Sequence, residues 1–544
     1  MPPCNRVIQV GLNSSKANQS KTGNEIYIVK LYSSINTNYD KDNNVCSIDA
    51  VYRKQSLSQT VKCTDLLTTS FGAEVKIEST NVVAATVTTP EHCDVRDTIW
   101  PEAKFALKLP KNWNQRFIMV GNGGTAGTIS LAAMEPGLRR GFAVVSTDTG
   151  HDAAKEPGAS FAYPGPNNPN AKRKLIDFAY QAVHETAVLA KQIIRAHYGA
   201  APRYSYWQGC STGGRQGLME AQRYPEDFDG LVVGAPVLNH TFQNMRHIWN
   251  ARAVSGPGAI ASNKLPTLAN AVYKKCDGID GLEDGLIDDP RRCKFDPAID
   301  LPGCPANEDN PNCFTPAQIE SLRKIYGGVR NSVKLLFSGQ PVGAEVLAQN
   351  RSGWDALISG ASLNLPLTYM RYAFFDPPPG PTWDYKLFNF DTDPQRMAGY
   401  AAIGNATNPD LRKLKQRGGR IIHYHGWADT GPTAFMSADY YESVLAKMGE
   451  KATKEFYRLF LIPGMFHCRG GVGCDTVDWL TAIVDWVEKG KAPGSLLGAH
   501  VEGSVTRRTR PLCSYPQVAR YKGTGSIDAA ENFICVKPDN AEKK

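Results

Sequence analysis

Ser211 sits in Gly209-Cys210-Ser211-Thr212-Gly213, a G-x-S-x-G pentapeptide between a strand-like run and a helix-like one. A serine on such a turn is lifted clear of the end of a sheet, and glycines stand where a side chain would strike the neighbouring strand or helix. A hydroxyl is a weak nucleophile at neutral pH, so the chemistry implied, acyl transfer, needs a base and an acid to orient that base. In α/β-hydrolases the chain order is serine, acid, histidine, the last two on loops beyond late strands. Asp429 follows the run Arg420–His425 through Gly426-Trp427-Ala428, and His467 follows Glu455–Leu461 through Pro463-Gly464-Met465-Phe466. His423 and His425 fall inside a strand and read as core or support. Asp439, Asp475 and Asp478 are rival acids in or beside predicted helices. A glycine-rich turn with an idle serine shows the same pentapeptide, and an ordinary turn aspartate the same Asp429, so the assignment rests on the three residues converging in space.

Cys210 directly precedes Ser211 and Cys468 directly follows His467. If the hydroxyl reaches the imidazole, the two cysteines lie within the Cα separation a disulfide spans, about 4.4–6.8 Å. Such a bridge would tie base to nucleophile. The oxyanion of the tetrahedral intermediate needs two N–H donors. Thr212, at the start of a helix, offers one. The other is expected from Val120-Gly121-Asn122-Gly123-Gly124-Thr125, after the strand-like Arg116–Met119, with Gly124 favoured over Gly123. An ordinary glycine turn would read the same way.

These loops need a scaffold. Short apolar runs at Phe105–Leu109, 116–121, Phe142–Ser146, Tyr204–Gln208 and Leu231–Val233 read as strands. Ile176, Tyr180, Val183, Ala187, Ala190 and Ile194, at steps of three and four, predict one helix over Lys174–Tyr198, stopped by Gly199. After Pro236 the pattern breaks for about 180 residues. Strand–helix alternation resumes at Arg420, with helices over Ala434–Lys447 and Val477–Glu488. The expected architecture is α/β: an α/β-hydrolase core sheet (61–237 and 420–544) with a large inserted lid (238–419). Residues 1–60, polar and rich in Asn, Ser and Lys, are expected to form a loosely docked arm.

Of 544 residues, 42% are apolar and 21% charged, which excludes a mostly disordered or fibrous chain. No apolar run approaches the roughly 18–20 residues that span a bilayer. The net charge of +8 is spread without a Lys/Arg block, leaving nucleic-acid binding unsupported. Thirteen cysteines include three short-loop pairs, Cys276/Cys293, Cys304/Cys313 and Cys513/Cys535, and no zinc spacing. That usage fits disulfides and a secreted or periplasmic protein. Residues 1–25 lack the basic head and apolar stretch of a leader, so the expectation of secretion rests on the cysteines.

The stretches 209–217, 426–429 and 464–468, together with Phe178-Ala179-Tyr180-Gln181-Ala182-Val183-His184, resemble the tannase and feruloyl esterase family over roughly residues 60–540. The resemblance implies an α/β-hydrolase that cleaves esters of aromatic acids, with Ser211, Asp429 and His467 as its triad and Cys210–Cys468 as its linking disulfide. It also implies Cys63–Cys93, Cys276–Cys293, Cys304–Cys313 and Cys513–Cys535, and leaves Cys4, Cys46 and Cys474 over. Within the lid segment, Asp277, Asp280 and Asp284 can offer carboxylates and Leu282 and Leu286 carbonyls to a hard cation. The spacing is not that of an EF-hand. It is similar to the family's lid calcium loop, which implies a structural Ca2+; a solvated acidic turn is the plainer alternative. Tyr369, Arg371, Phe374, Phe375 and Trp383 are candidate pocket walls or simply lid core. Arg371 could pair with the free carboxylate of a terephthalate monoester, as a lid arginine does in family members acting on such esters. Hydroxycinnamate, gallate and terephthalate monoesters all remain open as substrates. A peptidase with the same triad, or a non-catalytic calcium-stabilised binding module, are the rival readings.

Overall fold

The computed structural model describes residues 36–40, 45–49, 60–73, 75–306, 308–345, 347–348 and 351–538. Most of the polar stretch before residue 60 therefore lies outside the described residues, Cys4 with it. What is described there is an antiparallel strand pair, Asn36–Asp40 with Val45–Asp49.

From residue 60 the chain builds around one nine-stranded sheet. Its strands are β1 (Val75–Val83), β2 (His92–Ile99), β3 (Ala103–Pro110), β4 (Arg116–Val120), β5 (Ala143–Thr147), β6 (Tyr204–Cys210), β7 (Gly230–Gly234), β8 (Arg420–Gly426) and β9 (Tyr457–Ile462). Their order across the sheet is β9-β8-β7-β6-β4-β5-β3-β2-β1. The six strands from β9 to β5 are mutually parallel, and β3, β2 and β1 add antiparallel. Side chains alternate strictly between two cores. Phe117, Met119, Trp207, Leu231, Val233, Ile421 and Leu459 pack on one face. Ile118, Val120, Tyr206, Val232, Ile422 and Phe460 pack on the other. A sheet covered on both faces explains why its strands read as continuous apolar runs.

Helix α1 (Ala182–Tyr198) lays Val183, Ala187, Ala190 and Ile194 on the first face, and Gly199 ends it in the left-handed conformation. The single helix expected over 174–198 is three pieces. A short helix, Ala171–Ile176, runs into a π turn, Asp177–Gln181, before α1 begins. The wider turn buries Asp177, which is ion-paired to Arg173 at 2.8 Å. Helix α2 (Thr212–Arg223) leaves β6 directly. Between β7 and β8 the inserted segment starts with helix α3 (His240–Ala253) and builds two apolar cores around Trp354 and around Tyr369, Phe374 and Tyr400. Helix α4 (Ala434–Met448) joins β8 to β9, and helix α5 (Trp479–Lys489) covers the second face.

Two regions depart from the expected pattern. β1 and β2 precede the first expected strand. Past α5, two antiparallel pairs, Ser495–Glu502 with Val505–Cys513 and Val518–Tyr521 with Phe533–Val536, are joined by Cys513–Cys535. The expected strand Glu455–Leu461 starts two residues later because Glu450–Lys454 is helical. Among the described residues no helix is long and apolar enough to cross a membrane.

Candidate active site

The strand register sets the site. β6 lies between β4 and β7, with Val120 opposite Gln208 and Cys210 opposite Gly234. β8 and β9 end together, Gly426 opposite Ile462. The loops carrying Ser211, Gly121–Thr125, Asp429 and His467 therefore all leave the same, carboxyl edge of the sheet.

Ser211 has φ 63° and ψ −121°, a conformation L-residues avoid. Backbone bonds hold it there: Ser211 N–H donates to Gly234 O (3.0 Å) and Arg215 N–H to Ser211 O (3.0 Å). The turn is tight enough that a Cβ at Gly209 would sit 2.7 Å from the Gly213 backbone, and one at Gly214 2.3 Å from Gly234 O. Holding a non-glycine residue there costs on the order of 1–3 kcal/mol, which the surrounding packing must offset. Two buried side chains brace the elbow from beneath. Trp207 Nε1–H donates to Gly213 O (3.1 Å), and the Arg215 guanidinium donates to the Phe178, Ala179 and Gly404 carbonyls.

The glycine loop lies against this elbow. Gly213 N–H donates to Asn122 O (2.7 Å) and Thr212 Oγ1–H to Gly124 O (2.6 Å). Thr212 is the first residue of α2, where a backbone N–H has no acceptor within its own helix. Gly124 has φ 55°, and a Cβ at either Gly123 or Gly124 would meet nothing within 4 Å, so this stretch of backbone borders open space. From the lid, Tyr369 O–H reaches Gly124 O at 3.4 Å.

Asp429 is fully buried. Its Oδ2 accepts from His467 Nδ1 (2.7 Å) and from His425 Nε2 (3.1 Å), and its Oδ1 from Gly431 N–H (2.7 Å). Burial raises the Asp429 pKa, but the facing His467 and His425 outweigh it, so the carboxyl is held well below the usual carboxylate range. Burial lowers the His467 pKa, and the Asp429 charge and hydrogen bond more than reverse this. The His467 side chain retains 37% exposure against none for Asp429, as a base that must meet substrate requires. With Nδ1–H committed to Asp429, Nε2 is the free basic nitrogen. The Cys210–Cys468 disulfide joins the residue before Ser211 to the residue after His467, with Cα atoms 6.0 Å apart across 258 residues of sequence.

Residues that sequence reasoning passed over hold the acid loop. Arg246 on α3 donates to the carbonyls of Thr430 and Gly431 and to Gln340 Oε1 (2.8 Å), and Gln340 Nε2 donates to Asp429 O (2.9 Å). Gln243 also donates to Gly431 O. Helical spacing at 243 and 246 was the available signal, but it lies in the segment where the pattern breaks down. His425, read as core or support, touches the acid directly. Of the expected pocket walls, Tyr369, Phe374 and Phe375 are buried among lid aromatics, with Phe375 against Trp383 (ring centroids 5.6 Å). Arg371 Nε–H donates to the Trp383 carbonyl (3.0 Å).

Among the described residues the other disulfides are Cys63–Cys93, Cys276–Cys293, Cys304–Cys313 and Cys513–Cys535, and Cys474 is a buried free thiol. In the acidic loop, Asp277 accepts from Gly285 N–H, Asp280 from Leu282 N–H and Asp284 from Leu286 N–H. Asp284 also pairs with buried Arg510 (2.5 Å). Asp288, absent from the sequence reading, has a buried Oδ2 without a hydrogen-bond partner. Burial and the neighbouring Asp280 and Asp284 charges push its carboxyl well up. A half-buried set of carboxylates with Arg510 and Arg508 beside Asp284 offers oxygen donors that suit a hard dication.

The family model described as "Tannase and feruloyl esterase" matches residues 85–536. The mono(2-hydroxyethyl) terephthalate hydrolase of Piscinibacter sakaiensis is 34% identical, the match covering 84% of this chain and 86% of that protein. Two solved structures from Aspergillus oryzae, an esterase (TM-score 0.78, 28% identity) and feruloyl esterase B (TM-score 0.77, 27% identity), each superpose over 87% of this chain and 99% of theirs. With a nine-stranded hydrolase sheet, a serine elbow and a match over most of its length, the chain belongs to the tannase and feruloyl esterase family of carboxylic-ester hydrolases.

Proposed function

We propose that Ser211, His467 and Asp429 hydrolyse esters of aromatic acids through an acyl-enzyme. His467 Nε2 takes the Ser211 proton as Oγ attacks the ester carbonyl. The Thr212 and Gly124 N–H groups receive the oxyanion, and each such donor supplies about 3–4 kcal/mol of transition-state stabilisation. The imidazolium then protonates the leaving alcohol, and water repeats the sequence on the acyl-serine. Asp429 fixes the Nδ1–H tautomer and stabilises the imidazolium. The observation that carries this reading is the strained Ser211 elbow disulfide-linked to an imidazole whose other nitrogen is bonded to a buried carboxylate.

The similarity to feruloyl esterase B supports hydroxycinnamate esters as substrates, and the match to the tannase and feruloyl esterase family keeps gallate esters beside them. The similarity to the terephthalate monoester hydrolase supports a second reading, in which Arg371 pairs with the substrate's free carboxylate. Hydrolysis of methyl ferulate, methyl gallate and mono(2-hydroxyethyl) terephthalate, each with the Arg371→Ala variant beside the parent, separates the two. A loss confined to the terephthalate ester supports the second. Ser211→Ala should abolish all three activities with an unchanged circular dichroism spectrum, and turnover that survives would refute the nucleophile.

We also propose a structural Ca2+ held by the carboxylates of Asp277, Asp280 and Asp284 and the carbonyls of Leu282 and Leu286, with Asp288 beside them. It would neutralise the crowded carboxylates and pin the loop, with no part in the acyl transfer. The disulfides support a secreted or periplasmic location.

A further inference from the structure

Behind Asp429 the structure holds a line of polar side chains that the acyl-transfer scheme does not use. Tyr457 OH lies 2.7 Å from His423 Nδ1, and His423 Nε2 lies 2.8 Å from Ser437 Oγ. Ser437 Oγ lies 2.6 Å from His425 Nδ1, and His425 Nε2 lies 3.1 Å from Asp429 Oδ2. All five residues are fully buried. His423 and His425 share a face of β8, Tyr457 opens β9, and Ser437 is in the first turn of α4, so three elements build the line.

The protons in this line can be placed. His425 Nε2 faces only acceptors, Asp429 Oδ2 and the Pro432 carbonyl at 3.0 Å, so it carries hydrogen. With Nε2 as its one protonated nitrogen, Nδ1 is left to accept. Ser437 has one hydrogen and gives it to that Nδ1. Its oxygen must then accept from His423 Nε2–H, which leaves His423 Nδ1 to accept from Tyr457 O–H. Every hydrogen points toward Asp429, and bonds aligned in this way polarise one another.

We infer that Tyr457, His423, Ser437 and His425 form a one-way donor relay that positions the catalytic acid and withdraws charge from its Oδ2, setting how strongly Asp429 binds the His467 proton. These four are positioning residues, and the inference rests on Asp429 and His467 acting as the triad's acid and base. The charged and titratable groups facing Asp429 are His425 on β8, His467 beyond β9, and Arg246 and His247 on α3. Only the first belongs to the relay. Without its donor, the carboxylate presents more negative charge to His467, which then keeps its proton to higher pH.

The test is the pH profile of kcat/KM for an ester the parent cleaves. His425→Leu should move the acid limb upward by roughly half a unit or more, Ser437→Ala less and Tyr457→Phe least, with KM little changed. His425→Gln, which keeps a donor near the Nε2 position, should recover part of the shift. Limbs that stay at the parent position, move downward or ignore distance from Asp429 overturn the relay. Ring-nitrogen NMR gives a readout free of turnover and of variants that fold poorly: both His423 and His425 should appear as neutral Nε2–H tautomers. A doubly protonated His425, or an Nδ1–H tautomer at either ring, overturns it as well. Failure of the triad reading is seen separately, as ester turnover that survives Ser211→Ala.

Discussion

The charge state of two side chains, Asp429 and His467, sets the pH range of the chemistry. Asp429 stays ionised despite full burial because three donors converge on its oxygens. Its charge in turn lifts the His467 pKa above the ordinary histidine value, against the effect of burial. The imidazole works as a base only when neutral, so kcat/KM should rise with pH through a limb above about 6.5. Asp429→Asn removes both effects that lift the pKa. The limb should fall below the parent's while kcat drops roughly 10³–10⁴-fold, the cost of losing the oriented tautomer. A parent limb at or below the ordinary value, or an Asn variant whose limb stays in place, would exclude this coupling. The relay variants should move the same limb the opposite way, so the two predictions cannot be satisfied by a general loosening of the site.

Elements decide whether those side chains meet, and here the Cys210–Cys468 bridge matters most. Ser211 and Cys468 both adopt positive φ, so the nucleophile and the residue that follows the base are held in backbone conformations that relax readily if released. Replacing both cysteines by alanine should lower kcat by on the order of tenfold to a hundredfold with a smaller change in KM, because a displacement of about 1 Å is enough to cost that much. Stopped-flow and steady-state kinetics with a chromogenic ester would check it, and unchanged kcat would show that the bridge does not position the site. The loops at this edge were legible because their signals are local: a pentapeptide, a glycine run, and an Asp and a His each just past an apolar strand. The supports were not. His425 and Ser437 are twelve residues apart, and nothing in their spacing says that strand and helix place them within bonding distance. The π turn at Asp177–Gln181 was hidden because the three-and-four spacing runs unbroken from half-buried Ile176 and Tyr180 into buried Val183, Ala187, Ala190 and Ile194, although the winding changes between them. β1 (VKIESTNVV) and the strands after residue 495 carry Lys, Arg, Ser, Thr and Glu at an open sheet edge or in small hairpins. No second core forces alternation on them, so their periodicity is weak.

At the scale of the whole molecule, the lid is built on two apolar cores and reaches from them into the site. It grips the acid loop through Arg246, Gln243 and Gln340 and touches the glycine loop through Tyr369, so lid stability and triad geometry are coupled. Its acidic loop gathers Asp277, Asp280, Asp284 and Asp288 in a partly buried place. Burial raises Asp280, Asp284 and Asp288 above the usual carboxylate range, with Arg510 the ion-pair partner of Asp284. Groups with raised folded-state pKa lose stability as they are forced to ionise, so near neutral pH this loop without a cation opposes folding. A bound dication reverses that sign and adds binding free energy to the folded state, about 2.7 kcal/mol at a hundred times its dissociation constant. Chelation with EDTA should therefore lower Tm by several degrees, more at pH 8 than at pH 5, where the carboxyls can hold protons instead. Activity assayed in the cold should fall later than Tm does, because the proposed cation would take no part in the acyl transfer. Added Ca2+ should restore Tm, and Asp284→Asn should blunt both the loss and the recovery. A calorimetric trace that EDTA leaves unmoved at pH 8 would mean that the loop is a solvated acidic turn and that Arg510 and Arg508 balance it without a cation.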